Sequence, residues 1–159
     1  MMQSQKGVGL MEVLVALVLL GVAVLGFVGL QIRAIATSNE AGMNIQATNI
    51  ARDVAERMRV NREGIASIKT ASTVECDSTA CTPAQMANYD YHQVTAHATD
   101  LGMVLDVLNC QGFSRPRQCI YVAWEGTTAT NGTAKTDCTN GTAYVSNAKC
   151  IIMEVYNND

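Results

Sequence analysis

The 159-residue sequence predicts an α+β fold, in which one long N-terminal helix with an apolar first half packs on a small antiparallel β-sheet domain. A second, short helix and disulfides complete this domain. Three observations support the fold class: an almost uncharged run over residues 8–30, a proline-free stretch with helical spacing over residues 31–62, and six cysteines that all follow it. The residues that remain, 63–159, are enough for one modest globular domain.

The run over residues 8–30 is predicted to span a membrane. As a helix rising about 1.5 Å per residue it covers roughly 35 Å, which exceeds a hydrocarbon core of about 30 Å. A cleaved secretory signal differs from it, because here the helical pattern continues beyond Leu30. The positive charge of Lys6 favours a cytoplasmic N-terminus, so the residues after Arg33 are expected on the far side of the membrane.

Glu12 is the only charged residue within this run. A carboxylate deep in a membrane helix costs roughly 2.5 to 3.5 kcal/mol, so its presence there indicates a function. The alternative is that Glu12 lies at the membrane interface, where its charge stays hydrated.

The stretch from Lys6 to Glu12 resembles the class III signal of type IV prepilins. In that family a short basic leader ends in glycine, and the mature chain carries a glutamate at its fifth position; Gly7, Val8 and Glu12 stand at these places. The resemblance implies that residues 1–7 are a leader, and that prepilin peptidase cleaves between Gly7 and Val8 and methylates the amino group of Val8. The Glu12 carboxylate could then neutralise this amine, in its own helix or on a neighbouring subunit.

The helix is predicted to continue as an amphipathic segment over residues 31–62. Apolar residues recur near helical spacing, at Ile32, Ile35, Ile45, Ile50, Val54 and Met58. The apolar face of this segment must be buried, and the rest of the chain is expected to bury it. Asn61 to Gly64 is expected to end the helix, with arginines near the negative end of its dipole.

The last turns of this segment resemble the PilV group of minor pilins, also called type IV pilus modification proteins. The group typically carries an Ala-Asp-Arg-Met-Arg-Ala-Asn-Arg-like segment, and residues 55–62 read AERMRVNR. Arg57, Arg59 and Arg62 either contact another subunit or simply offset the helix dipole, and the second interpretation is favoured. The sequence departs from the prepilin pattern at Val8, where phenylalanine is usual, and at Gly29, where major pilins often carry proline.

The glycines of the apolar half leave two compatible interpretations open. Gly26 and Gly29 could allow local melting of the helix, since each glycine costs about 1 kcal/mol relative to alanine. Together with Gly21, they could instead allow close packing of helices in the membrane.

In the globular part, residues 63–159, a second helix is predicted to begin at Pro83. Thr82 supplies the cap and Gln85 stands three residues after it, which together form a capping box. Apolar residues at intervals of three and four predict that this helix extends to about Leu108, with a possible break at Gly102.

Three antiparallel strands are predicted after Pro116. They cover residues 119–124, 143–145 and 150–156, which are rich in β-branched and aromatic residues. Residues 126–141 are dense in Thr, Asn and Gly, a composition typical of an exposed loop.

The six cysteines fit an oxidising compartment such as the periplasm. Each is expected to pair with its neighbour along the chain, because each such pair closes a loop without helix. The expected bridges are Cys76 with Cys81, Cys110 with Cys119, and Cys138 with Cys150. A zinc site or catalytic thiol is the alternative, but the sequence contains no Cys-x-x-Cys pair.

No metal or cofactor is predicted. His92 and His97 are five residues apart, and they therefore point to different faces of the predicted helix. The formal net charge of −3 gives no support to nucleic-acid binding. No phosphate-binding glycine loop or nucleophile motif indicates an enzyme.

The resemblance to the PilV group implies a minor pilin that joins other minor and major pilins, after processing by prepilin peptidase. It implies a place in the bacterial inner membrane with the globular domain in the periplasm, next to the assembly platform, and later near the pilus tip. There the subunit would prime or cap the pilus, supporting twitching motility and adhesion. Two alternatives remain open: a pseudopilin of a type II secretion system, and a membrane-tethered periplasmic binding module.

Overall fold

A computed structural model describes residues 9–69, 74–112 and 117–155. These residues divide into two compact units, with the boundary between Ala41 and Gly42. In the first unit, every described residue from Leu10 onwards is helical. The second unit contains the end of the long helix, a second helix and five strands. The α+β fold class predicted from the sequence is therefore confirmed.

The long helix α1 extends from Leu10 to Val60. Within the first unit, its side chains from Leu10 to Asn39 are all exposed. The most apolar 18-residue window of α1 has a mean hydropathy of 3.0 and is 0% buried. By length and composition, α1 is the one helix of the described chain that could cross a membrane.

The part of α1 that belongs to the second unit has one buried stripe. Its buried side chains recur at three- and four-residue intervals, as expected for a helix with one face against a core. They are Ala47, Ile50, Ala51, Val54, Ala55 and Met58. The small residues at positions 47, 51 and 55 allow a close approach of neighbouring elements.

A short 3-10 helix, Arg62–Ser67, follows α1 and leads towards the second helix. Gly64 is buried here against the Pro83 carbonyl and the Ala87 side chain, and a Cβ atom at this position would collide with both. The Asn61 amide donates a hydrogen bond of 2.7 Å to the Pro83 carbonyl. Glycine and asparagine thus join the end of α1 to the start of the next helix.

The second helix, α2, extends from Pro83 to Asp100. The predicted capping box is confirmed, because Thr82 Oγ1 accepts from the Gln85 amide and Gln85 Oε1 accepts from the Thr82 amide. The predicted extension to Leu108 is wrong. Gly102 adopts a φ of +71°, which turns the chain out of the helix. The next residues form strand β1, Met103–Asn109, in which alternate side chains are buried.

The main sheet has the order β1-β2-β5 and is antiparallel throughout. Strand β2, Gln118–Trp124, lies in the centre, with β1 on one side and β5, Cys150–Val155, on the other. Two of the three predicted strands are therefore confirmed. The predicted strand at residues 143–145 is wrong, since Tyr144 makes only an isolated bridge with Thr139.

The exposed loop predicted over residues 126–141 is also partly wrong. It contains strands β3, Thr128–Asn131, and β4, Asp137–Thr139, which pair in parallel. The Asp137 carboxylate organises this pair, because it accepts hydrogen bonds from the Thr130 hydroxyl and the Ala134 amide. These bonds hold the pKa of Asp137 below its usual value. Polar side chains therefore create strands in a segment that lacks the usual apolar pattern.

The main sheet is buried on both faces, which we call the helical face and the loop face. On the helical face, Ile120, Val122 and Trp124 of β2 pack into one core with α1 and α2. On the loop face, the alternate residues Cys119, Tyr121 and Ala123 form a second core with residues of β3 and β4. This is why β2 is buried at six successive positions from Cys119 to Trp124.

Three disulfides brace the second unit, with the local pairing expected from the sequence. They join Cys76 to Cys81, Cys110 to Cys119, and Cys138 to Cys150. The last two lie at the loop face, where the third ties β4 to the first residue of β5. The core of this unit is small and buries little apolar surface. The disulfides add stability by restricting the unfolded chain.

Candidate assembly region

The residues with the strongest predicted role lie at the start of α1. Glu12 stands in the first turn, where its amide donates a hydrogen bond of 2.9 Å to the Gly9 carbonyl. A carboxylate at this end of a helix is favoured by the helix dipole. Within the described residues, Glu12 forms no ion pair. Gly7 and Val8, the predicted cleavage and methylation site, lie outside the described residues.

From Leu10 to Leu30, α1 presents apolar side chains in every direction. The large ones are at least two-fifths exposed, from Val28 at 43% to Leu10 at 84%. No part of the first unit buries them, so they require lipid or the helices of other molecules. Glu12 is the single charge on this surface, and the next charged residue along the chain is Arg33.

The glycines of this surface do not interrupt the helix. Gly21, Gly26 and Gly29 are helical, and a Cβ atom at any of them would meet nothing within 4 Å. Among the described residues they therefore serve no packing contact. Their flat surfaces remain available for the close approach of another helix.

The segment of residues 55–62 has contacts inside its own unit. Ala55 and Met58 are buried in the core of the helical face. Arg57 donates to Asp53 at 2.9 Å along α1 and to Asp90 of α2 at 2.6 Å. Packing in the core and a link between α1 and α2 therefore explain the presence of these three residues in the segment.

The three arginines of this segment differ in their surroundings. The hydrogen bond to Asp53, followed by that to Asp90, raises the pKa of Arg57, while partial burial acts in the opposite direction. Arg59 is paired with Glu56 at 2.8 Å, and both side chains are 63% exposed. Arg62 is exposed at the start of the 3-10 helix. Of the three, Arg57 alone joins two elements among the described residues, so Arg59 and Arg62 remain available to a neighbouring subunit.

The two histidines lie on α2. The ring of His92 makes an edge contact with Tyr91, with centroids 5.9 Å apart, and His97 stands in the last turn. In the part of the chain that the structure describes, no three His, Cys, Asp or Glu residues converge on a metal position.

One feature of the second unit was missed from the sequence. A pocket of about 240 Å³ opens on the loop face, beside Tyr121 and Tyr144. The wall from Thr139 to Tyr144 includes the end of the segment predicted as an exposed loop and the start of a predicted strand. The only sequence signal was the pair of tyrosines, and their spacing gives no indication that they meet.

Two family models match adjacent parts of the chain. Residues 2–28 match the prokaryotic N-terminal methylation motif, and residues 29–92 match the model of the type IV pilin Tt1218. No curated protein matches the chain. No solved structure matches it either. The matched region contains all of α1, with Glu12, and the first part of α2. The chain is thus similar to the methylation motif of prepilins over residues 2–28 and, over residues 29–92, to the Tt1218-like type IV pilin family, which is structural and non-enzymatic.

Proposed function

We propose that this chain is a minor pilin of the PilV group, which joins other minor pilins at the inner membrane to prime or cap type IV pilus assembly. The observation that carries the proposal is the surface of α1 from Leu10 to Leu30. This surface is apolar all round, exposed and interrupted only by Glu12. Such a helix is stable in lipid and equally stable within a bundle of similar helices, so it can move from one to the other.

The charge of Glu12 favours the transfer of the helix from lipid into the bundle. Cleavage after Gly7 would create an amino group at Val8, and methylation would leave that amine positively charged. The Glu12 carboxylate would neutralise the amine in its own first turn or on a neighbouring subunit. Two charges that are paired cost far less in an apolar bundle than one charge alone, so correct pairing would select the assembled register.

The partners follow from this arrangement. Processing requires prepilin peptidase, and assembly requires other pilins and the inner-membrane platform. A subunit that starts the fibre remains near its tip. Twitching motility and adhesion would then be properties of the whole pilus, to which this subunit contributes by allowing assembly.

A pseudopilin of a type II secretion system remains the second candidate. The segment of residues 55–62 favours the PilV group in sequence, although Arg57 and Met58 serve contacts within their own unit. Deletion of the gene distinguishes the two machines. We expect loss of surface pili and twitching with normal secretion of enzymes; loss of secretion with normal piliation would instead support the pseudopilin.

Glu12→Gln tests the charge pairing, because glutamine keeps the size of the side chain and removes its charge. We expect normal membrane insertion and at least about tenfold less protein in sheared pili, since removing one partner of a buried ion pair is strongly destabilising. Glu63→Gln is the matched control, because Glu63 is exposed on the 3-10 helix. Equal recovery of both variants would contradict the pairing.

Co-purification identifies the partners directly. Full-length protein is crosslinked in the membrane and isolated together with the other pilins of the cell. The proposal expects other minor pilins among the adducts, and their loss in Glu12→Gln. Adducts with secretion components alone would contradict it.

A further inference from the structure

The pocket on the loop face lies between the main sheet and the turn of residues 139–144. Its floor is made by Tyr121 of β2, Ile152 of β5 and the disulfide between Cys110 and Cys119. Residues of the turn, from Thr139 to Tyr144, line the opposite wall. None of the described lining residues carries a charge. A phosphate, a carboxylate or a metal cation would therefore find no charged partner here.

Tyr121 supplies an unusual polar group to this floor. Its side chain is only 2% exposed, yet its hydroxyl makes no hydrogen bond with the described residues. Burial, with a smaller effect from Tyr144, raises the pKa of Tyr121. The hydroxyl is therefore protonated at neutral pH and can both donate to a ligand and accept from it.

Tyr144 contributes an aromatic surface at the pocket. It is 55% exposed, although an isolated bridge with Thr139 fixes its backbone. An exposed aromatic ring beside an uncharged pocket offers a negatively polarised face to the C–H groups of a ligand. The ring is thus exposed, while the backbone that carries it is held in place.

The turn that carries Tyr144 is held rigid by its own hydrogen bonds. The Asn140 carboxamide oxygen accepts from the Thr142 amide at 3.0 Å and from the Ala143 amide at 2.9 Å. Thr139 Oγ1 donates to the Ala143 carbonyl at 2.8 Å. The disulfide between Cys138 and Cys150 anchors the strand before the turn. A pocket built in this way loses little conformational entropy when a ligand enters.

We propose that this pocket binds one neutral sugar ring of a glycan. A sugar hydroxyl would pair with the Tyr121 hydroxyl, and the C–H face of the ring would lie against Tyr144. The volume of about 240 Å³ is below the roughly 300 Å³ at which sites for drug-sized ligands begin, and therefore suits a single ring. This inference goes beyond the proposed role in pilus assembly and does not depend on it.

Saturation-transfer difference NMR tests the proposal with full-length protein in a detergent that has no sugar head group. The probes are glucose, galactose, mannose and N-acetylglucosamine, with glucuronic acid as the charged comparison. We expect transfer to at least one neutral sugar and weaker transfer to the acid. Tyr121→Phe keeps the ring and removes the hydroxyl, so it should weaken binding about five- to tenfold. Tyr144→Ala should weaken it by at least about tenfold.

Tyr89→Phe is the matched control, because it removes the hydroxyl of a tyrosine on α2 and should leave sugar binding unchanged. Thermal unfolding of each variant establishes that the fold is intact. If Tyr144→Ala does not fold, Tyr121→Phe alone decides. The proposal is overturned if no neutral sugar shows transfer, or if binding is the same in Tyr121→Phe as in the unmodified protein.

Discussion

The two parts of helix α1 belong to the same continuous element but have opposite surroundings. Before Ala41 its apolar side chains are exposed in every direction, whereas after Gly42 most of them form one stripe that is buried in the core of the helical face, with Ile45 and Val60 left exposed. Met11 is 74% exposed and Met58 is 3% exposed, although both are methionines on the same helix. Side chains of the same type are therefore exposed in one part of α1 and buried in the other.

The difference shows which part of α1 is covered by its own unit and which part is not. The second part finds its cover in α2 and the main sheet, so its stability is a property of this one molecule. The first part has no cover among the described residues of its own unit, and lipid or other subunits must provide it. We therefore assign the proposed assembly function to the first part and the folding of the domain to the second.

Replacing the two methionines should give the largest contrast. Met58→Ala leaves a cavity in the core, and we expect the free energy of unfolding of the second unit to fall by about 2 to 5 kcal/mol. Met11→Ala should change it by less than about 0.5 kcal/mol. Chemical denaturation of the full-length protein in detergent micelles measures both. Equal losses would show that the first part is also covered within the chain.

Removing the disulfide between Cys138 and Cys150 should have the next largest effect. A double replacement by serine should cost about 3 kcal/mol by relaxing the unfolded chain. Hydrogen exchange should then accelerate at residues 47–58 of α1 and remain unchanged at residues 13–30. The double serine variant of Cys76 and Cys81 is the control, with a smaller expected effect because its loop is shorter. Faster exchange along the whole of α1 would contradict the separation of the two parts.

Replacing the arginines at the end of α1 should give the smallest difference in stability. Arg57→Ala breaks the link to Asp90 of α2, a residue whose side chain is 18% exposed, and should cost about 1 to 2 kcal/mol. Arg59→Ala removes an exposed pair with Glu56 and should cost less than about 0.5 kcal/mol. Thermal unfolding of both variants measures which of the two loses more stability. A reversed order would mean that Arg57 serves a neighbouring subunit rather than its own domain.

The elements with strong local signals could be predicted from the sequence. Helix α1 follows from its apolar run and helical spacing, and the start of α2 follows from the capping box of Thr82 and Gln85. The disulfide pairing follows from short loops between neighbouring cysteines. The charge of Glu12 marks the candidate assembly region, because a lone carboxylate in an apolar run is costly.

The remaining elements depend on contacts that local patterns do not contain. Leu105 and Leu108 fit helical spacing from Val94, but the turn at Gly102 redirects them into β1. Strands β3 and β4 are stabilised by hydrogen bonds to Asp137 rather than by apolar alternation. The pocket at Tyr121 arises only when β2, β5 and the turn of residues 139–144 come together.

The intact mass of the protein in sheared pili tests most directly whether the first part of α1 is processed for assembly. We expect a chain that begins at Val8 and carries one additional methyl group on its amine. The same protein from a strain without prepilin peptidase should retain residues 1–7 and be absent from pili. A protein that keeps residues 1–7 in normal cells and never enters pili would contradict the account, and would favour a membrane-tethered binding module.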